Sequence, residues 1–422
     1  MKYLRLALLV FASTLGLVRA QEEEQNHAPP TEIPDFSNLD EYVYEPKSTL
    51  IISMRHLSGA KVQFFGHGTL DAPELPTDAT TPNIQRTYHD GTVSPDARVA
   101  GRVDGNGNPV TDSNGTQIFD PIAPDGKTNT WSYTDPSQLT VDNYLAFHTY
   151  SADINDSTIR SLKANSASGV DVAVSRDMGK LFGTRATWSL IAGVSMNDIT
   201  AEKSDSVRAT LTTITDIYSL DGQVLPPAPY SAPSTASSSV TDAEGNPVVS
   251  NDGSTQTATT DTTVLLNNKP INRTVQTATD STSVSNRWKV KGAYLTFRAG
   301  PAIWVPVTTR FRATLSAGPA MVYAGSTYTV TQSFQPALGA EITDTESSDE
   351  KHALPGYFAD ASLQFDLTEH TGFFAGFVYQ SAGSYTQTLN TTSTTNATAE
   401  HYSTKIDLSN QNGLRAGLTI RF

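Results

Sequence analysis

The chain has 422 residues, no cysteine and a formal net charge of −14 at pH 7. The lack of cysteine excludes disulfide staples, thiolate metal sites and a lipidated N-terminal cysteine. The acidic balance argues against nucleic acid as a partner. A composition rich in Thr, Ser, Asn, Asp and Gly points to β-structure with long polar loops.

Lys2 and Arg5, an apolar run from Leu6 to Leu17, and Val18-Arg19-Ala20 read as an export signal cleaved after Ala20. The run is shorter than the roughly 20 residues of a transmembrane helix. No later segment approaches such a helix, so the exported chain is expected to be either soluble or a β-barrel. Residues 21–46, acidic and proline-bearing, read as a flexible periplasmic lead-in.

The remainder, 47–422, alternates in short segments. Leu50, Ile52 and Met54 have a parity that Ala60, Val62 and Phe64 keep, which favours one strand bent at Gly59. A polar stretch over 69–126 reads as an extracellular loop. Strands over 128–134 and 139–151 flank a turn at Asp135-Pro136-Ser137-Gln138. After a loop at 152–167, Val170, Val172 and Val174 oppose Asp171. A turn about Asp177 leads to Trp188, Leu190, Val194 and Met196, opposed by Arg185. A second long loop covers 198–285, within which 207–218 reads as a strand extending beyond a membrane. Leu295 and Phe297 then oppose Arg298. Past a turn at Pro306, Phe311 and Leu315 oppose Arg312. A third loop spans 333–354. Leu363 and Phe365 oppose Asp360 and Asp366, and a turn at His370 leads to Phe373 and Phe377. A Thr/Asn loop at 386–400 precedes the last strand, where Leu414, Ala416, Leu418, Ile420 and Phe422 oppose Arg415, Thr419 and Arg421. Four short turns and five long loops thus join ten strands, with eight or twelve still open, and both termini fall on the short-turn side.

The closing strand and the run 287–422, with Tyr294-Leu295-Thr296-Phe297-Arg298-Ala299-Gly300-Pro301, resemble the C-terminal half of bacterial outer-membrane β-barrel proteins of the OmpA-like and porin-like kind. The resemblance implies an all-β, transmembrane, antiparallel up-and-down barrel in a Gram-negative outer membrane, set among lipid and lipopolysaccharide. It implies that Leu414, Leu418, Ile420 and Phe422 form the C-terminal signal read by the barrel-assembly machinery. It implies no substrate.

The charges opposite the apolar faces are Arg185, Arg298, Arg312, Asp171, Asp360, Asp366 and Arg415. They are expected to face the lumen, because a charge facing lipid at midplane costs about 2–4 kcal/mol. In a barrel of about eight to ten strands they are expected to pair and fill the interior; a charge-lined pore is the alternative. Arg415 should meet Asp366 or Asp171, and Arg421 should sit at the periplasmic rim. Trp131, Trp304, Phe373, Tyr357 and Phe422 fall near strand ends, as an interface girdle would.

Asp104-Gly105-Asn106-Gly107-Asn108 opens like a calcium loop, but Pro109 stands where Gly is needed and Gly115 where a bidentate Glu is needed. The stretch has a counterpart at Asp242 to Val248, and each is followed by a Gly and a Thr-Gln pair, so two long loops should carry similar hairpins. No catalytic, cofactor-binding or metal-binding residue is expected. The expected role is non-enzymatic, through acidic surface loops that leave room for an extracellular ligand. A narrow passive pore and an omptin-like surface hydrolase using His352 and His401 are the alternatives. The oligomeric state stays open.

Overall fold

The computed structural model describes residues 47–422 apart from 155, 157, 244–245, 251–253 and 393–398. The expected signal peptide (1–20) and lead-in (21–46), and the tip of the expected 386–400 loop, lie outside the described residues.

Period-two alternation builds one antiparallel sheet of thirteen strands. They are β1 (Ser48–Ser58), β2 (Lys61–Leu70), β3 (Tyr144–Ile154), β4 (Arg160–Lys163), β5 (Ala167–Lys180) and β6 (Thr187–Ser219). There follow β7 (Asn272–Pro306), β8 (Phe311–Phe334), β9 (Ile342–Asp366), β10 (Thr371–Ser381), β11 (Ser384–Thr392), β12 (Ala399–Asp407) and β13 (Gln411–Arg421). Eight of them close a ring in the order β5-β1-β13-β10-β9-β8-β7-β6, with β6 pairing back onto β5. The remaining strands extend the sheet upward, ending at β11, which pairs with β12 alone. β2 pairs with β4 on the same offset that relates β1 to β5. β11 pairs with β12 on the offset that relates β10 to β13. β3 lies between β2 and the top of β6. Ser48 and Phe422 exchange backbone hydrogen bonds of 3.1 and 2.9 Å at the lower end, so both ends of the described chain lie on the short-turn side.

The ring therefore has eight strands rather than ten. Residues 131–133 belong to a separate four-stranded sheet with 86–88, 91–93 and 230–231. The turn at Asp135 forms, as a 3-10 turn capped by the Asp135 side chain, but it joins that small sheet to β3. Strand occupies much of the expected loops at 198–285 and 333–354, where β6 and β7 run for 33 and 35 residues and β9 for 25, and the described flanks of those at 152–167 and 386–400. About ten tilted residues suffice to cross a bilayer, so most of this ladder lies beyond any such height.

Both faces invert along the strands. Low on β6 the exposed residues are Leu190 and Met196, and the buried ones are Ser189, Ser195 and Asn197. Higher up, Asp198 and Glu202 are exposed, and Ile199, Ala201, Val207 and Ala209 are buried. On β7 the exposed Phe297 and Ile303 give way to Lys291 and Arg287, and the buried Arg298 and Thr296 to Tyr294, Val290 and Trp288. The lower ring is apolar outside and polar inside. The upper ring is the reverse, with a core in which Phe64 stacks between Trp288 and Tyr328 at 6.3 and 5.9 Å.

On the first chain path the inner face turns apolar at Leu57, and an irregularity just beyond it changes the parity that faces inward. Gly59 takes φ +105°, and an ideal Cβ there would stand 2.1 Å from the Asn410 carbonyl oxygen. The single parity shared by Met54 and Val62 therefore changes face: Met54 is exposed and Val62 buried.

Two loop modules above the ring repeat each other. Bridges Val103↔Pro109 and Thr111↔Gln117 recur as Thr241↔Pro247 and Val249↔Thr255. In each, three backbone groups eight residues apart bond in a cycle, Arg102, Val110 and Ile118 in one, Val240, Val248 and Gln256 in the other. Asp104 Oδ1 accepts from the N–H of Asn106 and Asn108, and Asp242 Oδ1 from that of Asn246. These bonds hold the Asp104 carboxyl below its usual range.

Trp288→Ala should cost about 3–5 kcal/mol of stability, as burial and cavity terms add. Urea unfolding of the folded protein in micelles measures this. An equal loss in Phe297→Ala, which is 52% exposed, would contradict the assigned faces.

Candidate functional site: a ring of charges in the barrel interior

Four charged side chains meet inside the lower ring, one from every second strand. Asp171 stands on β5, Arg415 on β13, Asp360 on β9 and Arg298 on β7, so the sign alternates round the ring. Each touches both neighbours. Arg298 reaches Asp171 at 2.8 Å and Asp360 at 2.9 Å. Arg415 reaches Asp360 at 2.6 Å and Asp171 at 3.6 Å. The carboxylates are fully buried and both arginine side chains are 3% exposed. Charges so buried persist only when paired and hydrogen-bonded.

The intervening strands supply neutral donors. Ser53 on β1 donates to Asp171 at 3.1 Å, and Ser316 on β8 to Asp360 at 2.7 Å. Each arginine lies over an aromatic ring, Arg298 over Phe358 and Arg415 over Phe374, both at 5.1 Å. A fifth charge joins them. Arg55 on β1 is 3% exposed and donates to Gln380 at 2.9 Å and to the Ser195 hydroxyl. Sequence reading passed over it, although it shares a parity with Ser53 opposite Ile52 and Met54.

A second group lies at the lower rim. Asp366 accepts from Arg312 at 2.5 and 2.7 Å and from Arg421 at 2.9 Å, and Arg312 lies 5.0 Å over Trp304. Arg415 thus meets Asp360 and Asp171 rather than Asp366, whose partners are Arg312 and Arg421. Arg185 departs from expectation: it is exposed in the turn between β5 and β6 and faces no lumen. Trp131 is 1% exposed in the core of the small upper sheet, not at a girdle. Tyr357, Phe373 and Phe422 are exposed at the edges of the apolar belt, as are Leu414, Leu418 and Ile420 along β13.

At the upper end, Asp90 caps the edge of β3. Its Oδ1 accepts the backbone N–H of His148 at 2.8 Å, and its Oδ2 lies 2.6 Å from His148 Nδ1. His89, pushed below the usual imidazole value by burial, accepts the Tyr150 backbone N–H at 3.1 Å. This satisfies backbone groups that would otherwise template another strand. His352 bonds Glu350 at 2.7 Å and stacks on Tyr385 with ring centroids 4.5 Å apart. His401 is exposed and bonds Asn390 at 2.7 Å. His352 thus packs inward against Tyr385, while His401 lies on the exposed face. Among the described residues no group of three or more His, Asp or Glu side chains is placed to hold a metal ion.

Asp360→Asn should cost about 3–5 kcal/mol, because two guanidiniums lose a buried partner. A double-mutant cycle of Asp360→Leu and Arg298→Met, followed by urea unfolding, should show a paired loss well below the sum of the single losses. Additive losses would mean that the two side chains do not act together.

No family model matches the chain, and no curated protein matches it. Among solved structures, the outer-membrane protease OmpT from Escherichia coli matches over 89% of this chain and 97% of that one, at 10% identity and a TM-score of 0.29. A Pseudomonas aeruginosa FadL homologue matches over 89% and 90%, at 10% identity and a TM-score of 0.18. The closed ring stands on this chain's own strand pairing rather than on either likeness.

Proposed function

We propose that this chain is a non-enzymatic β-barrel of the bacterial outer membrane, closed by its own side chains, that presents its upper barrel and loop modules to the exterior. The observation that carries this reading is the charge ring, four buried side chains that meet across the lumen with the aromatic core stacked above them. An interior filled at two levels leaves no continuous water path.

The exterior supports the membrane location. From Trp188 to Met196 the outward positions of β6 are apolar, a nine-residue height that suits a tilted transmembrane strand. Exposed Tyr323 and Tyr357 with the half-buried Tyr379 border the belt above, and exposed Phe311 and Phe373 with the half-buried Phe365 below, as interface aromatics do. The repeated Asp104 and Asp242 modules support a surface-interaction role, since both project from connections on the long-loop side.

In planar bilayers the protein should give no steady conductance. Stable open channels from the unaltered chain would defeat the closed-lumen reading in favour of the narrow pore. The folded protein should also migrate faster unheated than boiled on a gel, and failure to enter lipid vesicles would defeat the membrane reading.

A further inference from the structure

The chain is acidic overall, yet its outward face just above the belt carries a concentrated positive patch. Past Ala293, the outward positions of β7 are the exposed Lys291 and Arg287 with the half-buried Lys289 between them, every second residue and therefore one face. Across the ladder from them stand Thr327, Thr329 and Thr331 of β8. These six side chains line a shallow depression of about 610 Å³. A fourth cation approaches from β9: the Lys351 stem crosses the bare backbone of Gly325, its Cγ 3.8 Å from where a Cβ would stand.

The local acids do not cancel this charge. Glu202 pairs with Arg287 at 2.6 Å and Lys289 at 3.6 Å, and Asp349 accepts from the Thr327 hydroxyl. Four cations against three carboxylates, Glu202, Asp349 and the exposed Asp198 opposite Ala293, leave a surplus of one positive charge in a chain whose net charge is −14. Directly below lie the exposed apolar side chains Phe297, Met321 and Tyr323.

We propose that this depression binds the phosphorylated headgroup of a membrane lipid in the leaflet on the long-loop side, with the acyl chains lying down the belt beneath it. The inference rests on the reading of the belt as bilayer-spanning. A soluble anion would match the cations but not the apolar surface directly below them; an amphiphile matches both. Successive cations on one strand face stand about 6.6–6.8 Å apart, which suits a headgroup with two phosphates. Lysine and arginine bind phosphate by charge-assisted hydrogen bonds, and threonine hydroxyls add neutral donors.

The test uses the full mature chain folded in micelles, offered either bis-phosphorylated or dephosphorylated lipid A, with retained lipid counted by native mass spectrometry. The phosphorylated form should be retained, and the dephosphorylated form lost. The Arg287→Gln/Lys289→Gln/Lys291→Gln variant should bind about a hundredfold more weakly, three basic side chains being removed. A variant with Lys289→Arg and Lys291→Arg should retain binding, which separates charge from shape. Unheated gel mobility shows whether each variant is folded. Equal retention of both lipids, or unchanged binding by the folded triple-Gln variant, overturns the inference while leaving the barrel intact. A chain that never enters vesicles overturns both this inference and the membrane reading beneath it.

Discussion

Each strand must be apolar on its outer face low in the ring and apolar on its inner face higher up. Strict alternation cannot deliver that, because one parity keeps one face. Every chain path therefore contains a switch, in the sequence, in the backbone or in both. β6 switches in sequence: the outward apolar residues have even numbers from Trp188 through Met196, and the inward apolar residues have odd ones from Ile199 to Ala209. The first path uses both: the inner face turns apolar in sequence between Arg55 and Leu57, and the irregularity at Gly59 then moves the inward apolar residues from odd to even numbers at Ala60 and Val62. The height of these switches sets where the belt ends, and with it the height of the basic patch.

Below the switch the interior must be polar, and the charge ring is how that interior is filled. Placing one charge on every second strand puts two Asp and two Arg within reach of one another while serine and glutamine occupy the gaps. The arrangement couples strands that are not hydrogen-bonded neighbours: β7 to β5 across β6, and β13 to β9 across β10. A two-residue slip of any one of these strands would keep its faces but pull a charge out of plane. That makes the ring a check on register which hydrophobic patterning alone does not give. Arg55 leaves the group with one more cation than carboxylate, so the interior is held by hydrogen bonds to Ser195 and Gln380 as well as by charge balance.

Much of the lower ring was legible, and for one reason: there the apolar face looks outward and stays uniform for nine or so residues. That uniformity located β5, β6, β7, β8, β9, β10 and β13 and put Asp171, Asp360, Arg298 and Arg415 on the opposite face. Above the switch much of the same strands reads as loop, 207–218 and the run from 287 apart, because their outer face is Thr, Ser, Lys and Asp, and their apolar residues had changed parity. Val284, Trp288 and Val290 alternate as clearly as Leu295 and Phe297 do, but on the other face. The count of ten arose at 128–151, where a separate sheet over the upper wall resembles a hairpin of the ring in local sequence. Only tertiary packing of Trp131 and Tyr133 against Phe147 and Tyr218 distinguishes the two. Arg185 was misplaced because a turn residue has no face for parity to assign.

The two kinds of switch are not scattered. Paths broken between β1 and β2, β4 and β5, β10 and β11, and β12 and β13 are neighbours in the ring, and the unbroken β6, β7, β8 and β9 form the other half. Pairing explains the grouping. An inserted residue in one strand shifts every ladder bond beyond it unless the partner yields by the same amount. Between β1–β5 and β2–β4 the two chains skip equal numbers of residues, and so do β10–β13 and β11–β12, so the offsets persist. Between the β1–β13 and β2–β12 pairings they skip unequal numbers, and that mismatch is accommodated where the Gly59 backbone meets Asn410. One irregular seam thus obliges its neighbours to be irregular, while the four long strands opposite stay continuous. The continuous half is also where a regular grid of side chains survives above the belt, which is why Lys291, Lys289 and Arg287 stand in one line facing three threonines.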